Sequence, residues 1–161
     1  MLTTIPVRKA VPAQRDAILR ICEQNHEENG QFGLSMRKVE WMVDKAFNNE
    51  GAIIGVVGRD QVEGIIMLLI SQFWYTEDWC LEEIMNYVLP AYRRSTHAKD
   101  MIKFGLRCSD EIGIPLVIGV VSNERTKAKI ELYRRQIGDP VGGYFIYPSN
   151  RDTHGDAAKR P

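Results

Sequence analysis

Three apolar, β-branched runs crowd the middle of this 161-residue chain, and their connections leave little topological choice. Ala52–Gly58 and Val62–Ile70 are rich in Ile and Val, and only Arg59-Asp60-Gln61 separates them, which predicts an antiparallel hairpin. The second run has room to extend to Tyr75. Trp79–Leu89 predicts a third strand, stopped by Pro90, which cannot donate to a sheet ladder. Before this block, Ile5–Ala10 reads as a short strand. Pro12 then suits a helix first turn, with a stripe of Ala17, Ile18, Ile21 and Cys22 that fades over Asn25–Gly30. Ser35 stands where it could cap a second helix, whose apolar face is Val39, Met42, Val43, Ala46 and Phe47.

After the strand block, Ala98–Ile112 reads as a helix ended by Gly113 and Pro115. Leu116–Ser122 is a continuous apolar run, as expected of a strand buried on both faces. Thr126, Ile130, Tyr133 and Ile137 mark another helix, and Gly143–Tyr147 a last strand. The order βααβββαβαβ predicts one mixed α/β domain over 1–147, its sheet mostly antiparallel and covered by helices on both faces. Residues 148–161 are polar and read as a flexible tail. Neither GxGxxG nor GxxxxGK[ST] occurs, which argues against a doubly wound nucleotide-binding fold.

Composition narrows the functional classes. The longest dense apolar run, Gly64–Ile70, falls far short of the ~20 residues that span a bilayer. The N-terminus lacks the basic and apolar regions of a signal peptide. Three widely spaced cysteines without a CxxC pattern suit a reducing compartment, so the expectation is a cytoplasmic protein with no membrane partner. His26 and His97 have no second ligand at usable spacing, so no metal is expected. Lys+Arg and Asp+Glu balance at 21 each, which argues against a nucleic-acid partner. The charge is nevertheless unevenly placed. From Ala91 to Arg135 ten basic residues face five acidic ones, a local excess of +5 that suits a small polyanionic ligand.

That excess begins in Tyr87-Val88-Leu89-Pro90-Ala91-Tyr92-Arg93-Arg94-Ser95-Thr96-His97-Ala98-Lys99. A strand ends at a proline, passes through a loop with two arginines, and enters a helix. Free N–H groups at a helix start, backed by the helix dipole, make an anion site. Arg93, Arg94 and the Ser95 and Thr96 hydroxyls add donors around it. The physical expectation is a pyrophosphate cradle without a phosphate-loop lysine.

This segment resembles the acyl-CoA-binding signature of the GNAT superfamily of N-acetyltransferases, in which Val-x-Pro-x-x-Arg leads into Arg/Gln-x-x-Gly-x-Gly/Ala. Val88, Pro90, Arg93 and Ala98 match, and Thr96 replaces a glycine. The resemblance covers about Ile5–Tyr147. Val62-Glu63-Gly64-Ile65-Ile66 is similar to the family's Val-Gly strand start, and Asn123 with Tyr133 and Gly138 to its second motif, at a longer spacing. In length and opening pattern the chain is also similar to small members encoded by tailed phages.

The resemblance implies a mixed sheet with splayed central strands and direct transfer of an acetyl group from acetyl-CoA to an amine. Backbone N–H groups near Val88 and Leu89 would polarise the thioester. The loop N–H groups of Arg94–Ala98 would hold the pyrophosphate, so Arg93, Arg94, Ser95, Thr96, His97, Ala98 and Lys99 form the expected cofactor segment, and Asn123 would contact the cofactor arm. Glu82, six residues before Val88, resembles a position that serves as base in some members, with Glu83 on the opposite face of an ideal strand as the second candidate. Tyr133 would protonate the leaving thiolate, although its apolar stripe gives packing an equal claim. Asn123 could equally cap the next helix.

The acceptor is expected between two segments. One holds His26, Glu27, Glu28, Asn29 and Phe32; the other holds Phe73, Trp74, Tyr75, Glu77, Asp78 and Trp79. Acids there would attract a small-molecule, protein or peptide amine, and aromatic faces its apolar part or charge. The same aromatic cluster could instead be core or a homodimer contact. Two other functions stay open at this point: a GNAT-shaped binding module without catalysis, supported by Thr96, and a GNAT-fold enzyme acting on nucleobases.

Overall fold

The computed structural model describes residues 5–147, so the polar stretch 148–161 lies outside the described residues. Nine elements follow one another: β1 (Arg8–Lys9), α1 (Arg15–Asn29), α2 (Met36–Phe47), β2 (Ala52–Val57), β3 (Gly64–Ser71), β4 (Cys80–Val88), α3 (His97–Ile112), β5 (Leu116–Ile118) and α4 (Thr126–Ile137). The five strands form one sheet in the order β1-β2-β3-β4-β5, antiparallel except for the parallel β4–β5 pair.

Strand alternation sends side chains to two separate cores. On one face Ile54, Ile65, Met67 and Tyr87 pack against Ile18 and Ile21 of α1 and Val43 of α2. On the other, Val57, Ile66, Leu68, Leu81 and Val88 pack against Met101 and Cys108 of α3. The mixed α/β sandwich with helices on both faces is the architecture expected from the element order.

Four local expectations change. Of Ile5–Ala10 only Arg8–Lys9 pairs as a strand. Helix α1 does not fade at Asn25 but runs through Asn29. The strand expected over Leu116–Ser122 shrinks to three half-buried residues, because it is the sheet's edge and not a central strand. Gly143–Tyr147 forms no strand and stays exposed. The short β5 offers little edge to pair with, and the Tyr144 ring lies over Gly119 where such pairing would begin. Gly113 does end α3 in the left-handed conformation, at φ 77°.

The β2–β3 connection is tight, with Arg59, Asp60 and Gln61 exposed at its tip. Gly58 sits at φ +149°, and a Cβ there would lie 1.9 Å from the Gln61 carbonyl oxygen. Only glycine fits that turn. Gly58→Ala is expected to destabilise the fold by roughly 1–3 kcal/mol, a melting-point loss of about 2–12 °C in a thermal scan. An unchanged melting point would show that the turn opens without cost.

Candidate active site

A single extra residue in β4 organises the site. Met67 pairs with Met85, but Leu68 pairs with Glu83, so Ile84 is a β-bulge. The parallel pairing with β5 ends at the same place, since Glu83 opposite Ile118 is its last pair. Beyond the bulge β4 runs on to Val88 without a partner on its β5 side. This is the expected splay, and two cavities occupy the fork.

The bulge also decides between the two glutamates. In an ideal strand Glu82 shares a face with Val88; with one residue inserted, Glu83 does. Glu82 is turned to the opposite face, where its carboxylate accepts a hydrogen bond from Ser71 Oγ at 3.1 Å. Glu83, at 5% exposure, accepts a hydrogen bond from Tyr133 Oη of α4, and its Oε2 is buried without a partner. The geometry therefore corrects the order of preference to Glu83 before Glu82. It also places Tyr133 in the fork, with its hydroxyl on Glu83.

The larger cavity, about 250 Å³, lies between the end of β4, the start of α3 and α4, with Asn86, Val88, Ser95, Ala98, Lys99, Arg125, Lys129 and Tyr133 in its walls. The smaller one, about 100 Å³, is lined by Asn25, Glu83, Ile84, Met85, Val120 and Val121. Asn86, Lys129 and Tyr133 line both, so the cavities meet at Tyr133, whose hydroxyl bonds Glu83 in the wall of the smaller one. Burial pushes the Glu83 carboxyl up to about 7, against the opposing effects of the Tyr133 hydrogen bond and the Lys129 charge. Burial and the neighbouring carboxylate push the Tyr133 phenol well above its ordinary value. Burial lowers Lys129.

The β4–α3 loop meets its expectations unevenly. Leu89 N–H donates to Glu63 O at 2.9 Å and is no longer available to a thioester. Strand amides alternate in direction, so the Val88 N–H points into the fork. Arg93 does not face outward. Its guanidinium donates to Val88 O at 3.1 Å and to Glu28 Oε2 at 2.5 Å, and it lies over the Tyr87 ring. The His97 ring is buried against Glu63 at 2.6 Å, and its N–H donates to Ser95 Oγ at 3.2 Å. Thr96 has φ −87° and its hydroxyl donates to Asp100 at 2.6 Å, so its side chain follows the helix. The first i→i−4 bond of α3 is Asp100 N–H to Thr96 O, which leaves the N–H groups of Thr96, Ala98 and Lys99 ahead of the helical ladder. Ser95 and Lys99 also line the larger cavity, whereas Arg94 does not.

Asn123 is a latch in this arrangement. It accepts a hydrogen bond from Gln31 Nε2 and donates to Glu28 O at 2.8 Å, while Ser122 Oγ donates to Asn29 Oδ1 at 2.9 Å. Of the acceptor candidates, only Glu28 lines a cavity. Burial alone would raise its carboxyl, but hydrogen bonds from Arg93 and Tyr87 hold it below the usual range. The His26 ring contacts Phe32 O at 2.6 Å, Glu27 lines neither cavity, and Phe32 is exposed. Trp74 and Tyr75 are exposed on the β3–β4 turn, beyond the Ser71–Cys80 pair, whereas the larger cavity lies at the Gly64–Val88 end. An antiparallel hairpin carries its tip to the far end of the strand, which removes these aromatics from the fork.

Asn25, Asn86, Arg125, Lys129 and the Glu63–His97 pair were not singled out from the sequence. The sequence signals for Lys129 are its place in the basic excess of Ala91–Arg135, shared with Arg125, and its i, i+4 spacing to Tyr133. Among the described residues no cluster of three or more His, Cys, Asp or Glu could hold a metal.

The raised Glu83 has a consequence for stability. Its stabilising contribution is complete below about 4.5 and is lost as pH rises through about 7. Glu83→Gln should therefore match the parent near pH 4 and exceed it by up to roughly 3 kcal/mol at pH 9, read from denaturant midpoints. A difference that does not change with pH would mean that the carboxyl titrates normally.

No protein-family model matches the sequence, and no curated protein matches it either. Solved structures do match. A predicted acetyltransferase from Clostridium acetobutylicum with acetyl-CoA superposes with a TM-score of 0.72 at 12% identity, covering 90% of this chain and 96% of that one. A possible acetyltransferase from Clostridium difficile gives 0.68 at 19%, covering 90% and 97%. AAC(6')-Iy in complex with the bisubstrate analogue CoA-S-monomethyl-acetylneamine gives 0.68 at 14%, covering 92% and 99%. A five-stranded mixed sheet splayed at β4–β5, with helices on both faces, is thus the fold of the GNAT acetyltransferases.

Proposed function

We propose that the protein transfers an acetyl group from acetyl-CoA to a small amine in a direct ternary complex, with Glu83 as base and Tyr133 as acid. The Glu83–Tyr133 hydrogen bond at the junction of the two cavities carries this reading. The larger cavity suits the cofactor. Lys99, Arg125 and Lys129 stand in its walls with the free N–H groups of α3. Cations beside unbonded helix N–H groups are the donor set that a pyrophosphate needs. Bound there, acetyl-CoA supplies an activated acyl carbon that an unprotonated amine can attack.

The chain's own groups then divide the proton work. A carboxyl near 7 accepts a proton efficiently at neutral pH, and Glu83 Oε2 has no competing partner. Tyr133 keeps its proton at neutral pH and can pass it from Oη to a developing thiolate, taking in its place, along their hydrogen bond, the proton that Glu83 has removed from the amine. The Val88 N–H is placed to stabilise negative charge on an acyl oxygen. The smaller cavity takes the acceptor. It is about 100 Å³, more polar than apolar, and sets one carboxyl against the Lys129 ammonium. That favours a compact monoamine and gives a polycation little to bind, although a structural neighbour is an aminoglycoside acetyltransferase in complex with sisomicin. Thr96 does not favour the non-catalytic alternative, since its side chain bonds within α3.

Assays with acetyl-CoA and a panel of small amines test the reading. Glu83→Gln should lower kcat/KM by about 10²-fold or more and abolish the rise in rate through pH 7, with Glu82→Gln close to the parent. Full activity of Glu83→Gln between pH 6 and 9 would remove the base. Tyr133→Phe should lower kcat and kcat/KM together at unchanged CoA affinity, because a proton donated to the leaving group matters only in the transition state. CoA at ~100 times its dissociation constant should stabilise the fold by roughly 2.7 kcal/mol, a melting shift of about 5–11 °C. No shift at millimolar CoA, with a null calorimetric titration, would sink the assignment.

A further inference from the structure

One polar pair in the core is unused by the chemistry above. Glu63 and His97 are 8% and 5% exposed, and His97 Nε2 lies 2.6 Å from Glu63 Oε2. The other ring nitrogen, Nδ1, is buried without a partner. Such a pair is a poor way to fill a core, because apolar residues of similar volume usually pack at no cost in stability. Its position suggests what it does instead.

Glu63 touches both ends of the β4–α3 loop. Its carbonyl oxygen accepts the Leu89 N–H at 2.9 Å, where the chain leaves β4. Its carboxylate holds His97, the first residue of α3. Glu63 is itself fixed, since its N–H donates to Val57 O at 2.8 Å and its Oε1 accepts the Arg59 N–H at 3.4 Å. Two residues away, Gln61 Nε2 donates to Tyr92 Oη at 2.6 Å, tying the same turn to the middle of the loop. Within the loop, Ser95 Oγ donates to Tyr92 O and accepts the His97 N–H. The first turn of α3, whose Ala98 and Lys99 line the larger cavity, therefore has its place relative to β4 set through one side chain from the β2–β3 turn.

We propose that Glu63 and His97 are positioning residues that brace the β4–α3 loop at both ends and so set the affinity for the CoA cofactor. The proposal rests on the acetyl-CoA reading above for its functional half. Its structural half is independent of any ligand.

Amide hydrogen exchange on the unliganded protein, CoA titration calorimetry and steady-state kinetics test the two halves together. Glu63→Ala and His97→Ala should speed exchange at the hydrogen-bonded amides of the loop and helix start, Ser95, His97 and Asp100, at least tenfold, with β3 amides unchanged. The CoA dissociation constant and the KM for acetyl-CoA should rise at least tenfold while kcat stays within twofold. Glu63→Gln, which keeps a hydrogen bond to the ring, should recover affinity to within threefold of the parent. If the alanine variants do not fold, Glu63→Gln and His97→Gln, singly and together, should show a non-additive loss of CoA affinity. A lower melting point with unchanged loop exchange and unchanged CoA affinity would reduce the pair to packing and overturn the proposal. A fall in kcat at constant KM would overturn it too. A parent protein that binds no CoA would instead overturn the functional reading, and with it the cofactor role but not the exchange result.

Discussion

The bulge at Ile84 is the constraint on which the rest of the site depends. One inserted residue exchanges the faces of everything N-terminal to it in β4, so Leu81 and Glu83 join Asn86 and Val88 on the α3 side. The same irregularity coincides with the end of β4–β5 pairing at Glu83. A strand that loses its neighbour in mid-sheet exposes a row of N–H and C=O groups. Here that row lines a cleft, with Arg93 Nε covering the Val88 carbonyl and the Val88 N–H left facing inward. Removing the bulge would return Glu82 to the fork, carry Glu83 to the α1–α2 core, and separate Tyr133 from its partner.

The cost of the arrangement is visible in two buried polar atoms without partners, Glu83 Oε2 and His97 Nδ1. An unsatisfied buried polar atom costs about 1–3 kcal/mol, so both would be disfavoured in a domain selected for stability alone. Each belongs to a group tied to the cavities. Glu83 lines the smaller cavity, and His97 stands at the head of the helix whose first turn walls the larger cavity. The stability lost there falls where a reactive carboxyl and a fixed loop are needed, while Ile18, Ile65, Ile66 and Met101 are fully buried in apolar surroundings.

Much of this fold was legible because it depends on local periodicity. The β2–β3 hairpin, the stop at Pro90, the αL residue Gly113 and the extents of α2, α3 and α4 follow from short-range patterns. What failed was set by distant partners. Leu116–Ser122 looks like a central strand in isolation, and only the sheet order makes it a short edge. The preference for Glu82 rests on the family resemblance six residues before Val88, with ideal alternation turning Glu83 to the other face, and nothing in Leu81–Met85 announces a bulge. His97 looked like one more polar loop residue, since its partner Glu63 lies 34 positions away. The aromatic turn at Phe73–Tyr75 was assigned to the acceptor by composition, but the geometry of a hairpin sends it to the wrong end of β4.

The most instructive misreading is the C-terminal half of α1. The apolar stripe stops at Cys22, and the run His26-Glu27-Glu28-Asn29 offers no amphipathic reason to stay helical. It stays helical because its polar groups are spent on tertiary bonds. Glu28 takes Arg93 and the Tyr87 hydroxyl, its carbonyl takes Asn123, and Asn29 takes Ser122. Asn29 is buried and also bonds to Asn25, one turn earlier. A single helical turn thus binds β4, the β4–α3 loop and the β5–α4 connection, the three segments that frame the larger cavity. Exposed ion pairs contribute little, but these groups are partly buried and share partners, so each bond fixes the geometry of the next. The arginine expected to meet an anion is instead held by Glu28, which leaves the helix N–H groups, Lys99, Arg125 and Lys129 as positive donors in the cavity's walls. The local charge excess read from the sequence is real, but the fold turns part of it inward to hold the loop and leaves the remainder for the cavity.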